Sequence, residues 1–181
     1  MRRRIASLLG LAAVALLTVY AWQRMVPPPA PEVPLEVPLP GRADRVVIDK
    51  AARELRLYAE GRVLRRYRVA LGGNPAGPKR EEGDRRTPEG TYRIDAANPN
   101  SAYHLSLRIS YPNAADRAAA RARGVSPGGD IMIHGLPNRY ASLGAGHRLY
   151  DWTNGCIAVT NAEMDEIWRL VAVGTPVEIN P

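Results

Sequence analysis

A single cysteine, Cys156, stands in the run Asp151-Trp152-Thr153-Asn154-Gly155-Cys156-Ile157-Ala158-Val159, and upstream of it lies Ile131-Met132-Ile133-His134-Gly135. One cysteine cannot close an internal disulfide, so its free thiol needs its own account. An ordinary thiol ionises near pH 8.5 and reacts as thiolate, so nucleophilic chemistry at neutral pH needs a base close by. His134 is the candidate base, and a thiol within reach of an imidazole is the arrangement of an activated nucleophile for acyl transfer. On residue types alone, an inert core cysteine and a hydrogen-bonded histidine account for the pattern equally well. Three scattered histidines and one cysteine match no standard ligand spacing, so neither a metal centre nor a cofactor is expected.

The elements around these residues must bring them together. If residues 130–134 form a strand, Asp130, Met132 and His134 face one way and Ile131 and Ile133 face the core, with His134 on the accessible side at the strand end. By the same alternation Cys156, Ala158 and Thr160 share a face opposite Ile157 and Val159. Earlier in the chain, segments 46–48, 55–59 and 63–71 read as a β-meander with turns at Asp49-Lys50 and Glu60-Gly61, the third strand ending at Gly72-Gly73-Asn74-Pro75. Residues 78–86 are predicted to be an exposed charged loop. Thr87-Pro88-Glu89-Gly90 is predicted to turn into a strand over 91–94. Two helices are expected. Asn113 caps an alanine-rich surface helix that Gly124 closes. Asn161 caps a second, whose Met164, Ile167, Trp168 and Val171 follow helical spacing and pack on the core. Gly174 ends it, and residues 176–179 return as a last strand.

The remainder of the chain bounds where this domain works. Arg2, Arg3 and Arg4 precede an uncharged, mainly apolar run over residues 5–22. Its length approaches the roughly 17 to 25 residues that cross a bilayer. Residues 1–26 therefore read as an N-terminal membrane anchor or a signal peptide, with the rest exported. Residues 27–40, PPPAPEVPLEVPLP, carry proline too densely for helix or central strand and read as an extended linker or a plain tether. Residues 41–181 suit one domain. The formal charge is +7, but residues 1–26 hold four arginines and no acid, which leaves the remainder near +3. No basic patch with interleaved aromatics is present, which argues against nucleic-acid binding.

Taken together, Ile-His-Gly, an intervening loop and Thr-Asn-Gly-Cys-Ile resemble the L,D-transpeptidase catalytic domain of the YkuD type. The opening meander with Asp49-Lys50 and the Thr87-Pro88-Glu89-Gly90-Thr91-Tyr92 segment agree as well. The resemblance implies a mainly β fold with two or three helices, a YkuD-like β-sandwich, and a cysteine that attacks the stem peptides of peptidoglycan. Within it, Cys156 is the nucleophile, His134 its base and the Gly135 carbonyl the group that orients the imidazole. Backbone N–H groups around Asn154, Gly155 and Cys156 are expected to form the oxyanion site. Thr153 keeps the family's hydroxyl position, whereas Asn154 replaces a second histidine of the common Ser/Thr-His-Gly-Cys pattern, and an amide cannot act as a base. The resemblance is thus closer to a branch that includes members thought to hydrolyse rather than cross-link. Tyr140, His147, Tyr150 and Trp152, in the loop over 136–152, are expected to line or cover the site. His147 either assists in place of the missing histidine or is an ordinary loop hydrogen-bonder. Three functions follow: an L,D-transpeptidase, a thiol peptidase or amidase acting on stem-peptide or protein–peptidoglycan bonds, and a non-catalytic wall-binding module. The expected partners are peptidoglycan stem peptides, a wall-linked protein and the inner membrane, and the expected location is the periplasmic side of a bacterial envelope.

Overall fold

A computed structural model describes residues 42–181, so the readings made for residues 1–26 and 27–40 lie outside the described residues. The meander appears as β1 (Arg45–Asp49), β2 (Glu54–Ala59) and β3 (Arg62–Arg68), paired antiparallel in succession. Glu60 and Gly61 both adopt positive φ (52° and 75°), the backbone that lets a two-residue turn follow the strand twist. In β2, Leu55 and Leu57 are fully buried while the alternating Arg56 and Tyr58 are not, the pattern of a half-buried strand. β3 is shorter than the expected 63–71 and buries only Tyr67.

The chain continues as β4 (Gly90–Ser101), β5 (His104–Ile109), helix α1 (Ala114–Ala122), β6 (Met132–His134), a 3-10 segment (Asn138–Leu149), β7 (Ile157–Ala158), helix α2 (Asn161–Leu170) and β8 (Pro176–Asn180). The strands form one eight-stranded sheet in the order β3-β2-β1-β8-β4-β5-β6-β7. The long β4 belongs to two halves of it. Its start, Gly90–Arg93, pairs with β8, and from Ile94 onward it pairs with β5. Ala70 and Gly72, just past β3, bridge to Ala158 and Thr153, so the two outer ends of the sheet meet. Ala70 and Ala158 exchange backbone hydrogen bonds of 3.0 and 2.9 Å across this seam. One apolar cluster fills the curled sheet, drawing Ile48 and Leu57 from one half, Leu107, Ile133 and Ile157 from the other, and Met164 and Ile167 from α2.

α1 begins as expected, with Asn113 and Asp116 in a reciprocal capping box, and buries only Ala120. The cap of α2 is Thr160 rather than Asn161. Thr160 and Glu163 form the capping box, which frees the Asn161 amide oxygen to accept from Leu136 N at 2.7 Å. The 78–86 loop is exposed over residues 80–83 and at 85, as expected, except at Lys79. Lys79 is buried and its ammonium meets the Asp84 carboxylate at 2.8 Å. Lys50, at the first turn, is also buried. Its Nζ donates to Gly77 O (2.6 Å), Thr87 O (3.1 Å) and Glu89 Oε1 (2.7 Å), which satisfies an otherwise costly charge and ties the meander to the segment entering β4.

Candidate active site

β6 and β7 run parallel with Ile133 opposite Ile157 and His134 opposite Ala158. Cys156 is two residues before Ala158 and so shares its alternation, diagonal to His134 on the neighbouring strand. Both side chains line one cavity of about 420 Å³, together with Ser101, Tyr103, Trp152 and Asn154.

The turn that presents the thiol is built on Thr153 and Gly155. The buried Thr153 hydroxyl accepts from Gly155 N (3.1 Å) and donates to Cys156 O (2.8 Å), closing the turn on itself. Gly155 has φ +123°, and a Cβ there would lie 2.5 Å from Arg86 O and 3.1 Å from Ile131 Cδ1. The 78–86 loop therefore ends against the back of the cysteine turn, at a position where only glycine fits. A Gly155→Ala substitution is expected to lower stability by at least about 2 kcal/mol, from backbone strain together with the displaced loop, with activity falling in parallel. Denaturant melts with m-value comparison measure it, and an unchanged midpoint would refute the close packing.

His134 is held from behind. A carbonyl can only accept, so the 2.6 Å contact between His134 Nδ1 and Gly135 O puts the ring proton on Nδ1 and leaves Nε2 as the basic nitrogen. Gly135 has no room to vary, since a Cβ there would meet Asn161 Oδ1 at 2.6 Å and Tyr103 O at 3.0 Å. The imidazole is only 4% exposed, not on an open face as the strand pattern suggested. Tyr103 packs on it with ring centroids 4.6 Å apart, and Trp152 meets it edge-on at 5.9 Å.

Electrostatics shift both groups. Burial lowers the His134 pKa, opposed by the Gly135 carbonyl. Burial raises that of Cys156, with the Asp130 carboxylate adding to the rise while the Met132 backbone N–H and Lys79 act against it. The thiol itself contacts Asp130 O at 3.5 Å. Burial thus favours the neutral thiol and the neutral imidazole over the charged pair. Alkylation of Cys156 by iodoacetamide is accordingly expected to be slow at pH 7 and to keep rising beyond pH 9. A fast plateau reached below pH 7 would instead reveal a preformed thiolate–imidazolium pair.

The aromatic loop divides between two places. Trp152 lines the Cys156 cavity, whereas Tyr140, His147 and Tyr150 line a second cavity beside it. His147 is buried, and its Nδ1 accepts from Trp152 Nε1 at 3.4 Å. Burial, with Arg148 acting in the same sense, pulls its pKa down to about 4. It stands outside the Cys156 cavity. The expected oxyanion donors separate too, because Gly155 N–H is engaged by Thr153. Tyr103 was not anticipated. It lies in the β4–β5 hairpin turn, and the alternation of Leu105, Leu107 and Ile109 was the signal that could have placed that hairpin. Asn161, which braces the chain after Gly135, was anticipated only as a cap.

A curled β-sheet with a Cys–His cavity at its seam defines a class. Residues 43–179 match the L,D-transpeptidase catalytic domain family, YkuD, and the chain belongs to it. It is 32% identical over 132 residues to YafK of Escherichia coli K12, provisionally named an L,D-transpeptidase; the match covers 70% of this chain and 46% of YafK. The chain thus spans about half the length of the curated relatives it matches. Among solved structures it resembles the helical cell shape determining protein Pgp2 of Campylobacter jejuni, with TM-score 0.59 and 27% identity over 77% of this chain and 48% of that one. The L,D-transpeptidase of Xylanimonas cellulosilytica shares the fold at TM-score 0.50 and 19% identity, over 79% of this chain and 63% of that one.

Proposed function

We propose that this chain is a cell-wall L,D-transpeptidase of the branch carrying Thr-Asn-Gly-Cys. It acts on the tetrapeptide stem of peptidoglycan from the periplasmic side of a bacterial envelope, held by its N-terminal segment. The observation that carries the reading is the cavity shared by Cys156 and His134, with the imidazole fixed so that its free nitrogen is the one away from Gly135.

In this mechanism the Cys156 proton passes to His134 Nε2 as sulfur attacks the carbonyl between the third and fourth stem residues. The N–H groups of Asn154 and Cys156 stabilise the oxyanion; each such donor typically contributes a hundredfold or more in rate. The carbon–nitrogen bond then breaks, the imidazolium returns its proton to the departing D-alanine amine, and a thioester remains. An acceptor amine attacks the thioester and loses its proton to His134. The carbon–sulfur bond breaks and the thiol is restored. With water as acceptor the same steps hydrolyse the stem. A part in cell shape, the property in the name of the Campylobacter jejuni neighbour, belongs to the same reading.

The test incubates the protein with disaccharide-tetrapeptide and follows intact protein mass and small products together. A thioester adduct with D-alanine release and a cross-linked dimer is the expected result. Adduct with free tripeptide acid alone would convert the assignment to a hydrolase. Absence of adduct and turnover, on intact sacculi as well, would overturn the enzymatic reading in favour of a wall-binding module.

A further inference from the structure

The second cavity, about 410 Å³, is lined by Leu136, Tyr140, Leu143, His147 and Tyr150, and it shares Trp152 with the Cys156 cavity. Exposed apolar side chains surround it: Tyr140 is 47% exposed, Leu143 56% and Tyr150 69%. Patches of this kind beside a reaction centre mark binding surfaces.

Three observations restrict the occupant. The shared indole makes the two cavities neighbours, so a molecule that reacts in the first can place another of its parts in the second. No Lys, Arg, Asp or Glu lines it. Arg139 lies over the Tyr140 ring and Arg148 acts on His147, so charge borders the cavity, but the lining itself is uncharged and suits an uncharged ring. Finally, His147 is 4% exposed and lacks a partner for Nε2 among the described residues. Because Trp152 Nε1 donates to Nδ1, the ring hydrogen sits on Nε2, a donor in want of an acceptor.

Aromatic walls with one N–H donor suit a pyranose, whose CH faces stack on rings while its polar substituents reach outward. We propose that the second cavity is a subsite for a neutral N-acetylated sugar of the wall glycan, its acetamido carbonyl accepting from His147. This deepens the stem-peptide reading and rests on it for the identity of the polymer.

The experiment titrates β-1,4-linked N-acetylglucosamine trimer into the full chain by calorimetry, with maltotriose as the sugar lacking acetamido groups. Saturable binding of the first sugar alone is expected, weakened roughly tenfold by Tyr150→Ala, as befits loss of one stacked ring. Leu143→Ser serves as an independent second variant on the same cavity, and thermal melts verify folding of both. In parallel, KM for disaccharide-tetrapeptide is expected to lie below KM for free tetrapeptide, with the ratio collapsing toward one in either variant. No binding by the wild-type protein, binding indifferent to both substitutions, or equal binding of maltotriose would overturn the subsite. Sugar binding without any turnover would remove the enzymatic reading and leave the subsite standing; turnover without sugar binding would do the reverse.

Discussion

Replacing Cys156 by alanine is expected to abolish thioester formation and lower turnover on the order of 10⁴-fold or more, the scale seen when a nucleophile is deleted from an assembled site. The fold should survive. The sulfur meets the Met132 backbone N–H and, at long range, Asp130 O, and it is half-buried, so no packed cavity opens behind it. The turn around it depends on the Thr153 hydroxyl and the Cys156 carbonyl, neither of which the substitution touches. A melt within the range of ordinary surface changes, together with a protein mass that never shifts on incubation with substrate, is the expected pair of readings. Substantial residual turnover by Cys156→Ala would locate the chemistry elsewhere.

The second large effect concerns His134. With Gln in its place the side chain still hydrogen-bonds but cannot take a proton, and kcat/KM should fall about 10²- to 10⁴-fold. The pH profile separates this from a structural loss. In the native protein the acid limb reports protonation of His134, and because burial lowers its pKa, activity should persist below pH 6.5 before falling. In His134→Gln that limb should vanish. The residual rate should instead climb with pH through the raised ionisation of the thiol, since only spontaneously formed thiolate can then attack. A variant that kept the acid limb would show that another group is the base.

Much of this site could be read from residue order, and its failures have physical causes. Strand-like composition and partial alternation located β1, β2, β6 and β7, although only β2 buries a single face while β1, β6 and β7 bury neighbouring residues on both. The exposure of His134 did not follow. Tyr103 covers it from a hairpin in which Asn98-Pro99-Asn100 interrupts any strand pattern, since proline normally argues against a strand interior. Thr160 was passed over for Asn161 because both residue types cap well, and only the Glu163 reciprocal bond distinguishes them. The burial of Lys79 depends on a tertiary partner, Asp84, and on a loop path along the cysteine turn. Charge in a sequence window carries no information about either. The split of the aromatic loop into two cavities likewise depends on which side of Trp152 each ring falls.

The seam where the outer ends of the sheet meet has a consequence for timing. Ala70 and Gly72 must find Ala158 and Thr153 across most of the domain, and the turn that aims the thiol is pinned to that contact. Closures over such sequence separations come late, because their loop entropy is unfavourable until the rest of the fold compensates it. The placing of Cys156 beside His134 is therefore expected to come late in folding. On the proposed mechanism, turnover then requires the completed domain, because the thiol and the imidazole line one cavity only once the seam has closed.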